Sequence, residues 1–303
     1  MKYERSILTR RNLPTVEFSP TYDGQLLRFP HKNKQKFHGE YDQLRYNSIL
    51  ETVSSLHISV DVWPYYNLED DFYQYNSLGY RTHEFNNLSN LFDITIGCCC
   101  VEGLGLRHYE TWVYHYEQDT GRQLINLGKG GTGCNYINMN LVAWLKNYPH
   151  PKRVIIFWPE PTTRTVFRKD GTFSNLTFGN KRIHPIVTNA DERINLWYHA
   201  ELQENSISSN EFVSTYNNTN IILTSNNISV MNCFSSVYWK EEDVTEIGNL
   251  TNTSTKYINY NNVDGGWAKF RDYEYFPAAD MTHHGLQHQK PITEQILKFY
   301  ENT

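Results

Sequence analysis

The sequence predicts an α/β fold: a three-layer α/β/α sandwich with a parallel central sheet, preceded by an N-terminal extension. Three observations predict it. Short, near-continuous apolar runs at 92–97, 123–128 and 152–158 read as buried strands. Segments with helical apolar spacing alternate with them. Each run stops at a turn former: Gly97, Gly128 and Pro159. Strands that are apolar on both sides belong to parallel sheets covered by helices on both faces.

Taken in order, 92–97 is the first strand. Residues 110–118 form a short helix with Trp112, Val113 and Tyr116 directed inward, and 123–128 the second strand. Residues 135–148 show helical spacing at Ile137, Leu141, Leu145 and Tyr148 and end before Pro149. Residues 152–158 make the third strand. A hairpin is expected around Lys169-Asp170-Gly171, and a helix over 191–204 that opens on Asn189 as a cap. Residues 220–224 read as a fourth strand and 240–265 as a polar loop insertion. Residues 291–300 form a closing helix with Ile292, Ile296 and Phe299 on one side.

Residues 1–88 have a different character. They are rich in Tyr, Asn and His with scattered prolines, and only 57–63 alternates like a strand. They are expected to form an irregular extension or a small β-rich subdomain packed on the main domain, 89–303.

Composition bounds the function. The net charge is −5 and no basic block tracks a phosphate backbone, so no nucleic-acid partner is expected. The basic, polar N-terminus lacks an apolar h-region, and no apolar run is long enough to span a bilayer, so neither secretion nor a membrane is expected. The five cysteines, three of them adjacent, do not read as a disulfide framework and suit a reducing, cytoplasmic compartment. N-x-S/T sequons such as that at Asn175 follow from the high Asn, Ser and Thr content.

In a parallel sheet, ligands bind beyond the carboxyl ends of the strands. Three turn-rich segments fall there: Gly97-Cys98-Cys99-Cys100-Val101-Glu102-Gly103-Leu104-Gly105, Asn126-Leu127-Gly128-Lys129-Gly130-Gly131-Thr132-Gly133, and Trp158-Pro159-Glu160-Pro161. Asp280-Met281-Thr282-His283 precedes the closing helix. Singly, each fits a tight turn or a helix cap. A zinc site built from Cys98–Cys100 with His283, His284 and His288 is disfavoured, because no C-x-x-C is present and adjacent cysteines cannot all face one ion. Neither metal nor cofactor is expected.

In their order these segments resemble the SGNH/GDSL-type hydrolases, particularly divergent bacterial and phage members. The resemblance covers about residues 90–303. It sets Cys99 at the family's nucleophilic serine, Gly131 at the oxyanion-donor glycine, and Asp280 and His283 at the acid–base pair. Tyr75-Asn76-Ser77-Leu78-Gly79-Tyr80-Arg81-Thr82 resembles a segment that precedes the hydrolase domain in some of these proteins. Two departures stand out. The serine is a cysteine, and Phe157-Trp158-Pro159-Glu160 replaces the family's Gly-x-Asn-Asp block, leaving Asn135 or a backbone amide to complete the oxyanion hole.

The resemblance implies hydrolysis of an acyl or acetyl ester, on a carbohydrate among other carriers. Cys99 would attack, His283 would accept and return the proton, and Asp280 would orient the imidazole. The backbone amides of Cys99 and Gly131 would hold the oxyanion. The alternative is a catalytically silent module of the same fold that binds carbohydrate or serves a structural role. Cysteine is often a buried small hydrophobe, and a Ser→Cys exchange impairs chemistry tuned for an alkoxide.

Overall fold

The computed structural model describes residues 26, 34–35, 51, 73–161, 163–167, 173–176, 205–235, 239–251, 253–258 and 286–301. Its centre is a five-stranded sheet built from β3 (Phe92–Ile96), β4 (Gln123–Asn126), β5 (Arg153–Trp158), β8 (Ser229–Ser235) and β9 (Thr255–Ile258). The spatial order is β4-β3-β5-β8-β9 and every pairing is parallel. The three expected strands lie where the apolar runs place them. Two short antiparallel pairs stand apart: β1 (Lys34–Gln35) with β2 (Tyr73–Gln74), and β6 (Arg164–Phe167) with β7 (Phe173–Leu176). The second is the expected hairpin.

Strand alternation sorts side chains onto two cores. Phe92, Ile94, Ile96, Val154, Ile156, Trp158 and Phe234 face one side, under α3 (Cys134–Asn147) and α4 (Asn205–Ser225). Ile155, Phe157, Met231 and Cys233 face the other, under α2 (Trp112–Thr120) and α6 (Leu286–Glu301). Helices thus cover both faces, and the architecture is a three-layer sandwich.

The segment 73–88 belongs to the same packing unit. Tyr80 and Phe85 are buried in the first core, and the Phe85 ring meets Trp144 edge-on at 5.0 Å. The expected strand over 57–63 and helix over 191–204 lie outside the described residues.

Three elements differ from expectation. Residues 220–224 are not a strand but the last turns of α4. Burial there follows Phe212, Tyr216, Thr219 and Leu223 with helical spacing, while Ile221 is exposed. The fourth parallel strand is β8, whose polar Asn232 disguised it. Asn232 sits at 1% exposure because its amide is satisfied: it accepts from Trp158 Nε1 at 2.9 Å and donates to Asn220 Oδ1 at 2.8 Å. Nor is 240–265 simply a loop: residues 241–251 form α5 (Glu241–Thr251) and 255–258 form β9. Three acidic residues open α5, where they complement the helix dipole. The closing helix begins at Leu286, five residues before Pro291, because Gln289 anchors the earlier turn by accepting from Trp112 N at 3.1 Å.

Candidate active site

The chain leaves β3 toward β4 on one side of the sheet and leaves β5 toward β8 on the other. The crevice beyond the carboxyl ends of β3 and β5 is therefore a topological switch point, where open α/β sheets bind ligands. The cysteine run lies at this point. Cys98 caps a single helical turn, α1 (Cys99–Glu102), which ends at Gly103 in the left-handed region (φ 73°). Cys98 is buried, whereas Cys99 and Cys100 are partly exposed. In the structure Cys99 and Cys100 are helical, so they do not alternate between two faces. The helix is four residues long, so its dipole adds little to thiolate formation at Cys99.

The turn and the β4 loop approach each other closely. A Cβ on Gly97 would come within 2.7 Å of both the Phe157 carbonyl and Val101. One on Gly128 would meet Val101 at 2.6 Å and the Glu102 amide at 2.7 Å. These glycines permit the contact that Asn126 then fixes. Its amide donates to the Val101 carbonyl at 2.6 Å, and its carbonyl oxygen accepts from Gly128 N at 2.8 Å. Lys129 N also donates to the Gly97 carbonyl.

Sequence reasoning missed the charged scaffold beneath the turn. Glu102 is 2% exposed, and its carboxylate accepts from Lys129 Nζ at 2.5 Å and Gly130 N at 2.6 Å. The Tyr75 hydroxyl approaches the same carboxylate, and the Lys129 ammonium lies 5.0 Å from the Tyr75 ring centroid. Burial, then the Glu102 charge, pushes the Tyr75 phenol well up, so it stays neutral. Arg81, also buried, donates to the carbonyls of Glu102, Gly103 and Leu106. Its guanidinium thus satisfies carbonyls at the end of the single turn. The only sequence signal for this cluster was the Tyr75–Thr82 resemblance, which carries two of its four members.

Among the expected oxyanion groups, Gly131 is exposed and takes a left-handed conformation (φ 75°) at the tip of the loop that Glu102 anchors. The Asn135 side chain is engaged at both ends: it donates to the Thr165 carbonyl at 2.7 Å and accepts from Thr165 N at 3.1 Å. It ties α3 to β6. In the place of the family's third block, Phe157 and Trp158 are buried in the two cores. Asp280, His283 and His284 lie outside the described residues. The helix after them is held near the cysteine turn through one residue: Gln289 accepts from Trp112 N, and Trp112 Nε1 donates to the Cys100 carbonyl at 3.2 Å.

The thiols touch one another. Cys98 Sγ and Cys99 Sγ are 3.8 Å apart. Hydrogen bonds from Cys100 and Cys99 hold the Cys98 thiol well below its ordinary value, whereas the bond to Cys98 and burial push Cys100 up. Burial likewise pushes Cys233 up. Among the described residues no group of three or more His, Cys, Asp or Glu side chains could hold a metal ion. No described helix is long and apolar enough to cross a membrane.

No protein-family model and no curated protein matches the chain. Among solved structures, it is similar to a member of the lipolytic protein G-D-S-L family from Veillonella parvula, at 12% identity over 70% of this chain and 100% of that one, with a TM-score of 0.41. It is also similar to an acetyl xylan esterase from the rumen bacterium Butyrivibrio proteoclasticus, at 9% identity over 71% of this chain and 64% of that one, with a TM-score of 0.42. A third is a family two carbohydrate esterase from Clostridium thermocellum in complex with cellohexaose, at 10% identity over 71% and 65%, with a TM-score of 0.43. The chain spans just under two thirds of the length of these two esterases.

Proposed function

We infer that this chain is an SGNH-type ester hydrolase that acts on an acyl or acetyl ester, a carbohydrate ester being one candidate substrate. Cys99 is the nucleophile, His283 the general base and then acid, and Asp280 the residue that orients the imidazole. The observation that carries this reading is the position of a partly exposed cysteine on the turn after β3, at the sheet's switch point, on the same turn as the Glu102 that pins the neighbouring glycine loop. The tether from α6 supports the assignment of His283. His283 precedes Leu286 by three residues, a reach of about 10 Å at most. Gln289, one turn further on, is joined through Trp112 to Cys100.

In the acylation step the Cys99 sulfur adds to the ester carbonyl as its proton passes to His283. The oxyanion is held by the backbone amides of Cys99 and Gly131. Collapse expels the alcohol, protonated by His283, and leaves a thioester. Water activated by His283 then releases the acid and the free thiol. The test is turnover of a panel of short acyl esters by the pure protein. Hydrolysis abolished by Cys99→Ala and by His283→Ala is expected. Hydrolysis that survives both changes refutes the assignment.

A second reading is a silent module of this fold that binds carbohydrate or serves a structural role. The exchange of serine for cysteine favours it, as does the burial of Phe157 and Trp158 where the family places an oxyanion asparagine. Under this reading the parent is inactive, and Cys99→Ser gains ester hydrolysis.

A further inference from the structure

We propose that Glu102 is a positioning residue for acyl transfer: its carboxylate holds the turn at 129–132 so that the Gly131 N–H faces the ester carbonyl that Cys99 attacks. This rests on the esterase reading and deepens it, by naming what sets the oxyanion donor in place.

Cys99 and Glu102 are the two ends of one helical turn, α1. The nucleophile and the residue that grips the neighbouring loop therefore move as one piece. Arg81 fixes the end of that turn by donating to the carbonyls of Glu102 and Gly103. From there the Glu102 carboxylate crosses to the loop after β4 and accepts from Gly130 N at 2.6 Å. The fit leaves little slack. A Cβ on Gly130 would lie 3.1 Å from Glu102 Oε2 and 2.8 Å from Leu104 Cδ1.

The loop is itself a tight turn. Thr132 N donates to the Lys129 carbonyl at 3.3 Å, so Gly130 and Gly131 are its central residues. Its corners rest on the residue before the cysteines: Lys129 N donates to the Gly97 carbonyl at 3.0 Å, and Thr132 Oγ1 approaches the same carbonyl at 3.4 Å. The positive φ of Gly131, 75°, is that of a type II turn. A type I turn differs from it by a flip of the central peptide, which is the peptide that carries the Gly131 N–H. With glycine at both central positions the backbone bars neither form. The Glu102 bond grips the turn at Gly130, directly beside that peptide. An oxyanion donor is effective when it is aimed before the charge develops. A bare carboxylate beside the donor would oppose that charge, and the Lys129 ammonium, 2.5 Å from Oε1, offsets it.

The test compares two reactions of Cys99 in the full-length chain. Acetylation by p-nitrophenyl acetate builds an oxyanion; alkylation by iodoacetamide does not. Both are read on the peptide 82–107, which cleavage after Arg81 and Arg107 releases, with the modified cysteine located by fragmentation. Glu102→Leu/Lys129→Met removes both charges and the acceptor. It is expected to slow acetylation by about 10- to 100-fold, part of the roughly 10²–10³ lost when a donor is removed outright, and to leave alkylation within about twofold of the parent. Glu102→Gln/Lys129→Met also lacks both charges but keeps an oxygen that accepts from Gly130 N, and is expected to restore acetylation to within about threefold of the parent. Glu102→Asp draws the carboxylate back by one methylene while Lys129 can follow it. The same selective loss of acetylation is expected there, and this variant carries the test if the Leu/Met variant does not unfold cooperatively in urea. Equal slowing of both reactions, acetylation at the parent rate without the acceptor, or a Gln/Met variant as slow as the Leu/Met variant overturns the proposal and leaves the esterase reading standing. A parent that is alkylated but never acetylated at Cys99 overturns the esterase reading, and this proposal with it.

Discussion

Cys99, Cys134 and Cys233 are chemically alike in an unfolded chain and separate on folding. Cys134 is 1% and Cys233 0% exposed, and burial pushes the Cys233 thiol up, whereas Cys99 is partly exposed. Iodoacetamide is expected to label Cys99 well before either, with the order read from modified peptides over time. If His283 is the base proposed for Cys99, His283→Ala slows that labelling by removing the imidazole that would draw off the thiol proton. Equal labelling of the three would leave Cys99 without special reactivity. Glu102 is the second residue whose surroundings dictate an outcome. Glu102→Ala strands the Lys129 ammonium in a buried site, at a cost of about 3–5 kcal/mol. Replacing both partners with Leu and Met costs less than the single change, a comparison that denaturant unfolding can make. Cys99 was legible in the sequence, whereas the Glu102–Lys129 pair was not. A Glu and a Lys 27 positions apart carry no periodic signal, and their pairing exists only once β3 and β4 lie side by side.

At the scale of elements, the contact between the cysteine turn and the β4 loop leaves no room for a methyl group. Gly128→Ala places a Cβ against the Val101 side chain and the Glu102 amide, and backbone cannot step aside as a flexible side chain can. A destabilisation of about 1–3 kcal/mol is expected from such overpacking, measured by urea unfolding. A second prediction concerns pH. His83 donates to Glu117 at the end of α2, and that bond raises its pKa in the folded state. A group with a raised folded pKa stabilises fully below its unfolded value, and the contribution is lost as pH rises through the folded value. The stability lost on His83→Ala is therefore larger at pH 5 than at pH 9, and small throughout because the side chain is about half exposed. Which elements the sequence disclosed depended on how strongly burial marked them. The first three strands are apolar on both faces and stood out. The fourth carries a buried Asn232, whose cost is removed by partners on α4 and β5. The Ile-Ile-Leu run at 221–223 imitates a strand, yet only Leu223 is buried.

At the scale of the molecule, the change of sequence character near residue 88 does not coincide with a gap in packing. Arg81 ends on three carbonyls at the cysteine turn, Thr82 Oγ1 accepts from Asn126 N, and Phe85 packs on Trp144. A chain beginning at residue 89 exposes those carbonyls and opens the first core. It is expected to lose near-ultraviolet dichroism and cooperative thermal unfolding; retention of both would make 1–88 a dispensable appendage. The fold class was legible because it depends on the alternation of long apolar periods. The proposed acid–base pair, Asp280 and His283, rests on the sequence motif alone and lies outside the described residues. In the proposed reaction Cys99 carries the acyl group, and capture of that acyl-enzyme tests it most directly. The chain is mixed with p-nitrophenyl acetate, quenched in acid within the first turnover, and digested. An acetyl mass increment on Cys99 within peptide 82–107, released by hydroxylamine and formed far more slowly in His283→Ala, is expected. An unmodified Cys99 while p-nitrophenol is being released, or an acetyl group that forms equally fast without His283, would contradict it.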